Sequence, residues 1–255
     1  MTTAKLEITA LPGLPLVKPG DDLAALILQG LAAAELELAA GDILVIAQKI
    51  VSKSEGRYAE IAAVTPSQAA RELAAKTGKD PRLVELILSE SKQVLRHRAN
   101  LIIVLHKLGL VMANAGIDAS NVEPGGGERV LLLPRDPDAS AARLRAELGE
   151  RTGAEIGVIV NDSVGRAWRR GIIGTAIGSA GLPTRLDLRG HEDLFGRPLL
   201  VTEVGLADEL AGAASLLQGQ ADEGRPVALI RGLSFEPSTE TARDLVRSAD
   251  EDLFR

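Results

Sequence analysis

The chain has 255 residues, 45% hydrophobic and 25% charged, the profile of a soluble globular protein with a substantial core. A net charge of −6 and only 2% aromatic residues argue against nucleic acid as a partner, because phosphate backbones need a basic footprint and bases need stacking surfaces. Cysteine is absent, which excludes thiol nucleophiles, Cys-ligated zinc and disulfides and is compatible with cytoplasm. The N-terminal Met1-Thr-Thr-Ala-Lys-Leu-Glu7 has no apolar signal core, and no apolar run is long enough to suggest a membrane span.

Leu6 to Leu11 reads as a first strand, broken by Pro12-Gly-Leu-Pro15. Asp21-Asp22 is a cap for a helix from Leu23 to about Ala34, whose apolar face is Leu23, Leu26, Ile27 and Leu31. Asp42 to Ile46 is a strand that enters Ala47-Gln-Lys-Ile-Val-Ser52-Lys-Ser-Glu-Gly56, where the last five residues read as a turn or an anion-binding loop around Lys53. Thr65 with Pro66 and Gln68 marks a helix start, and Asp80-Pro81 marks another. Asn100 to Asn114 reads as a hairpin turning near Lys107-Leu-Gly109. Pro124-Gly-Gly-Gly-Glu128 reads as a flexible connection, since the chain has no Gly-Lys-Ser/Thr ending of a phosphate-binding loop.

Val130 to Leu133 is a strand, Ser140 to Leu148 a helix closed by Gly149 or Gly153, and Ile156 to Val160 another strand. Glycines at 171, 174, 178 and 181 suggest a tightly packed, irregular stretch. Leu199 to Val204 alternates like a strand, Asp208 to Leu217 has helical period, Val227 to Ile230 is the last strand, and Thr239 to Phe254 a final amphipathic helix. Strands and helices mix without regular βαβ repetition, so the predicted class is α+β. Residues 1–255 form one module that two intertwined subdomains could share.

Two segments carry the chemistry. The apolar run Leu108 to Met112 opens into Asn114-Ala-Gly-Ile-Asp118-Ala-Ser120-Asn121, and Ile156 to Val160 opens into Asn161-Asp162-Ser163-Val-Gly-Arg166. An aspartate at a strand end is usually a turn or cap residue. Two of them, each beside hydroxyl or amide groups, suggest a shared hard-cation site for Mg²⁺ or Mn²⁺. Arg166, Arg169 and Arg170 follow at once. They read either as solvated charge or as bidentate anion donors. Trp168 among them reads as buried by default. Gln218-Gly-Gln-Ala-Asp-Glu-Gly224 is either a glycine-closed helix end or a polar loop over a ligand. His97, His106 and His191 are too scattered for a metal site.

Taken in order, these segments resemble the coenzyme F420-0:L-glutamate ligase (γ-glutamyl ligase, CofE-like) family from about Ile8 to Leu233. The markers are Gly13-Leu-Pro-Leu16 with Pro19-Gly-Asp-Asp22, Val51-Ser-Lys-Ser-Glu-Gly-Arg57, Asn114 to Val122, Asp162-Ser-Val-Gly-Arg-Ala-Trp-Arg169, Val201-Thr-Glu-Val204, Ala207-Asp-Glu209 and Ile230-Arg-Gly232. The resemblance implies a CofE-like mixed fold and a homodimer. It implies a GTP-dependent ligase that joins L-glutamate to the lactyl carboxylate of coenzyme F420-0 through an acyl phosphate, then extends a γ-linked tail. Mg²⁺ or Mn²⁺, with K⁺ as a further ion, are the implied cofactors.

Carried over by position, Asp118, Asp162 and Ser163 are implied metal ligands, with Gln220 beside a metal. Leu14, Pro15, Leu16, Val17, Gln48, Lys49, Lys53 and Asn121 are implied nucleotide contacts, with the loop Gln218, Gly219, Gln220, Ala221, Asp222, Glu223, Gly224, Arg225. Asp118, Asp162 and Arg166 are the candidate catalytic residues. This chain departs from some members at Gln48-Lys49, where others carry small hydroxyl residues, and at Gln220, where some carry glutamate. Some relatives carry a C-terminal redox domain; none is expected here, nor a second activity in the same polypeptide. A metal-dependent nucleotide phosphohydrolase and a non-catalytic nucleotide-binding protein are the alternatives.

Overall fold

A computed structural model of the chain describes residues 4–120 and 128–253. Among them the elements run β1 (Glu7–Ala10), α1 (Leu23–Ala33), β2 (Ile43–Ala47), α2 (Gln48–Ser54), β3 (Tyr58–Glu60), α3 (Gln68–Thr77), α4 (Pro81–Ser89), β4 (Ser91–Arg98), β5 (Leu101–His106), β6 (Val111–Ala113) and β7 (Arg129–Leu131). They continue with α5 (Pro137–Thr152), β8 (Gly157–Gly165), β9 (Ile172–Ala180), β10 (Leu186–Asp187), β11 (Glu203–Val204), α6 (Leu206–Gln218) and β12 (Val227–Arg231). The mixture is α+β, as the pattern of elements predicts. No helix among the described residues is long and apolar enough to cross a membrane.

The main sheet has the order β1-β12-β2-β8-β9, parallel only between β2 and β8. Its central strands are apolar on both faces because helices cover both. Leu44, Ile46, Val158 and Val160 pack with α1 and α5 residues such as Ile27, Leu144 and Leu148. Ile43, Val45 and Ile159 point the other way, against Leu210, Ala211 and Ala214 of α6. A smaller unit lays α3 and α4 on the sheet β4-β5-β6, burying Ala70, Val84, Ile87, Ile102 and Val104.

Local chemistry fixes the helix ends. The Asp22 carboxylate accepts from Ala25 N at 2.9 Å, and Asp80 accepts from Arg82 N at 2.7 Å with Pro81 in the first turn, both as predicted. The α3 cap is Ser67, two residues beyond the predicted start at Thr65; its hydroxyl accepts from Ala70 N. Gly153, at φ +74°, closes α5.

The structure corrects four of these expectations. The glycines of 171–181 do not make an irregular stretch; most of it is the regular strand β9. A bulge where the pairing passes from Val160–Gly178 to Asn161–Ala176 reverses the alternation of faces. Gly174 therefore faces α6, where a Cβ would lie 2.3 Å from the Ala211 oxygen, and Gly178 faces α5, where one would lie 2.4 Å from the Pro137 carbonyl. The predicted turn at Ser52 to Gly56 is largely helix α2, whose Ile50, Val51 and Ser52 are buried. Among the described residues, the predicted C-terminal helix gives way to a single 3-10 turn at Ala242–Leu245. The Asp138 carboxylate takes up the Ala242 N–H at 2.9 Å and ties this segment down as a strap. The strand at Leu199 to Val204 shortens to Glu203–Val204, with Leu200 and Val201 exposed. The polar edge strand β4 has no alternating apolar signal and escapes sequence reading.

Candidate functional site

Asp118 follows β6 through a 3-10 turn, Asn114–Gly116, as the apolar run before it predicts. Asn114, Ala115 and Gly116 all have positive φ (50°, 56° and 65°). For the two non-glycine residues this is an uncommon and costly conformation. It is held by burial of Ala115 and by the Asn114 side chain, which accepts from Ile102 N. The Asp118 backbone is then pinned to β7 by reciprocal bonds with Leu131, 3.0 and 2.8 Å long. This leaves the carboxylate aimed at α2. One oxygen accepts from Ser120 N, and the other lies 2.7 Å from the Lys49 ammonium, which also donates to the Ser120 hydroxyl at 2.8 Å.

Asp162 lies inside β8, not at its end; the strand runs on to Gly165. Because β2 and β8 are parallel and Ala47 pairs with Asn161, the start of α2 falls beside Asp162. Burial pushes the Asp162 carboxyl up to about 6, the Ser163 N–H bond opposes this, and the charge of Asp118 adds to the rise. The two aspartates therefore lie close enough for their charges to interact, with Lys49 acting on both. Asp118 is held below the usual carboxylate range; burial acts against this, and is outweighed by its bonds to Lys49 and Ser120.

Ser163 donates to the Gln220 side-chain oxygen at 2.8 Å, so the loop after α6 reaches the same site. Beneath it sits an amide pair that sequence reading did not foresee as structural. Asn161 donates to Gln218 at 2.7 Å and accepts from Thr175 N, while Gln218 donates to the Val45 and Pro226 carbonyls. These buried bonds tie β2, β8, β9 and α6 together. Their only sequence signal is the position of Asn161 directly before Asp162.

The other predicted residues are placed as follows. Gln48 is buried and accepts from the Ser52 hydroxyl. Lys53 lies in the last turn of α2. Leu14 is half-buried, Pro15 and Leu16 are exposed, and Val17 is in the core. Gly219 caps α6, and residues 221–225 are exposed. Asn121 lies outside the described residues, as does 124–127. Arg166 donates to the Gly171 carbonyl across the β8–β9 hairpin tip. Trp168 is exposed rather than buried, because its backbone sits left-handed (φ +59°) at that tip. His106, by contrast, is buried, and burial lowers it to about 4.

Asp118, Asp162, Ser163 and Gln220 form an all-oxygen donor set of the kind hard divalent ions take, and such an ion would neutralise the enclosed Asp162. Among the described residues no group of three or more His, Cys, Asp or Glu comes together, so a cation here would complete its shell with water or phosphate oxygens. The donor chemistry fits Mg²⁺ or Mn²⁺.

A family profile described as F420-0:Gamma-glutamyl ligase matches residues 13–232. The coenzyme F420:L-glutamate ligase of Methanopyrus kandleri is 46% identical over 254 residues, 98% of each chain. Those of Methanothermobacter thermautotrophicus and Methanocaldococcus jannaschii are 45% and 44% identical, over 98% of this chain and 99% and 97% of theirs. A profile covering most of the chain, together with near-full-length relatives at this identity, places the chain in the F420-0:gamma-glutamyl ligase family.

Proposed function

We propose that the protein is a GTP-dependent ligase that joins L-glutamate to the lactyl carboxylate of coenzyme F420-0 and extends the γ-linked tail. The observation that carries this reading is the near-full-length match to coenzyme F420:L-glutamate ligases. The paired aspartates at one site support it, because phosphoryl transfer depends on positioning and charge neutralisation.

In the proposed chemistry a lactyl carboxylate oxygen attacks the γ-phosphorus, the bond to the β-phosphate oxygen breaks, and GDP leaves. The glutamate amine then attacks the acyl carbon, phosphate departs, and the nitrogen gives up its proton. Bound divalent cations supply charge neutralisation of the triphosphate. Asp118 and Asp162 hold them with Ser163 and Gln220. Lys49 and Lys53 meet phosphate oxygens, and the 219–225 loop covers the nucleotide. Arg166, Arg169 and Arg170 on the hairpin tip bind an anionic part of the coenzyme or the incoming glutamate. Water must be kept out, since an acyl phosphate hydrolyses readily.

A homodimer belongs to the same proposal. Exposed Leu194, Phe195, Leu200 and Val201, all between β10 and β11, offer an apolar surface for a second copy.

Nucleotide turnover tests the reading. The ligase consumes GTP only when F420-0 and glutamate are both present, one GDP for each amide formed. Full-rate phosphate release from GTP alone would instead support a phosphohydrolase.

A further inference from the structure

Lys49 stands in a singular place. It is the second residue of α2, its ammonium caps one Asp118 oxygen, and its charge acts on Asp162 as well. It lies 2.7 Å from that oxygen and 2.8 Å from the Ser120 hydroxyl, with the pair only partly open to solvent. A divalent ion bound to a carboxylate sits at about 2.1 Å from the oxygen. It cannot occupy that side of Asp118 together with the ammonium, by size or by charge. The same lysine also lowers the field of Asp118 felt at Asp162.

We infer that Lys49 is the built-in counter-ion of this site, which a divalent cation must displace from Asp118 and which, once displaced, turns its ammonium to the nucleotide phosphates. This rests on the metal and nucleotide reading above and deepens it. The chemistry is an exchange of ion pairs with no bond made or broken. The Lys49–Asp118 contact is lost, Asp118–cation contact is gained, and the freed cationic side chain has a phosphate oxygen within the same pocket as its next partner. Cation binding and nucleotide binding are thereby coupled through one side chain. Four flexible methylenes allow that swing without moving α2.

The signature is a pair of effects with opposite sign. Lys49→Met leaves two interacting carboxylates without the cation that offsets both. Mn²⁺ alone, titrated against the protein and read from the paramagnetic resonance of free Mn²⁺, binds about tenfold tighter to this variant than to wild type. That is about 1.4 kcal/mol. A non-hydrolysable GTP analogue, in saturating Mn²⁺, binds the variant at least fivefold more weakly. Lys49→Arg keeps the charge and holds Mn²⁺ affinity near that of wild type. A misfolded variant would weaken both ligands, so it cannot imitate the pattern.

Equal or weaker Mn²⁺ binding by Lys49→Met, with Mn²⁺ still bound by wild type, overturns the inference and leaves the ligase reading standing. Failure of both proteins to bind Mn²⁺ at millimolar concentration overturns it together with the metal assignment. Loss of ligation in wild type, read separately as product, is what would overturn the proposed function.

Discussion

Asp162→Asn separates stability from function at the candidate site. Enclosure pushes the wild-type carboxyl up to about 6 from an ordinary 3.8, so its ionised form costs about 3 kcal/mol of stability above pH 6. Between those values the folded protein holds a proton that the unfolded chain has lost. Its contribution to stability therefore rises as pH falls through the window from about 6 to 3.8, and the penalty is fully present above it. Asparagine keeps an oxygen to accept the Ser163 N–H and carries no charge, so it removes the penalty. For a chain of this size, at about 2–4 °C per kcal/mol, Tm rises by about 6–12 °C at pH 7.5. The assay is thermal unfolding followed by circular dichroism, in chelator, at pH 7.5 and pH 4.5. The Tm gain shrinks at the lower pH, where wild type is largely protonated. Mn²⁺ stabilises wild type and has a much smaller effect on the variant. An unchanged or lower Tm at pH 7.5, or a gain that does not depend on pH, would refute the reasoning.

Other perturbations follow from the same contacts. His106 is buried, accepts from Leu108 N, and is lowered to about 4 by enclosure, so its contribution to stability falls as pH drops from about 6.5 towards 4 and is intact above; His106→Gln flattens that part of a Tm–pH profile. Gln218→Ala strands the Asn161 amide and the Val45 carbonyl, which costs about 1–3 kcal/mol in chemical denaturation and speeds proteolysis in the 219–225 loop. Gly178→Ala drives a methyl to within 2.4 Å of the Pro137 backbone and lowers stability by at least about 2 kcal/mol, whereas Gly165→Ala, with nothing within 4 Å, changes it little.

The legible parts of the fold were those where one local signal decides the outcome. Ile43 to Ala47 is an apolar run that could only be central, and Asp22 and Asp80 cap as their side chains dictate. Where tertiary contacts decide, the sequence misleads. Gly174 and Gly178 look like breakers, yet they are the price of two helices lying directly on β9. The 239–254 segment has helical period, yet Asp138 captures its backbone. Asp118 and Asp162 were visible as motifs. Their convergence was not, because it depends on β2 and β8 being parallel neighbours. The exposure of Trp168 likewise depends on a backbone twist that composition does not record.

The most direct test of the account follows oxygen. F420-0 with a heavy-oxygen-labelled lactyl carboxylate is incubated with protein, GTP, Mn²⁺ and L-glutamate, and the coenzyme and the released phosphate are analysed by mass spectrometry. The account predicts a glutamylated coenzyme and one labelled phosphate for each coenzyme that gains its first glutamate, later tail additions releasing unlabelled phosphate, with product and label both lost in Asp118→Asn. Glutamylated product formed with no labelled phosphate, or phosphate released without glutamylated product, would contradict it.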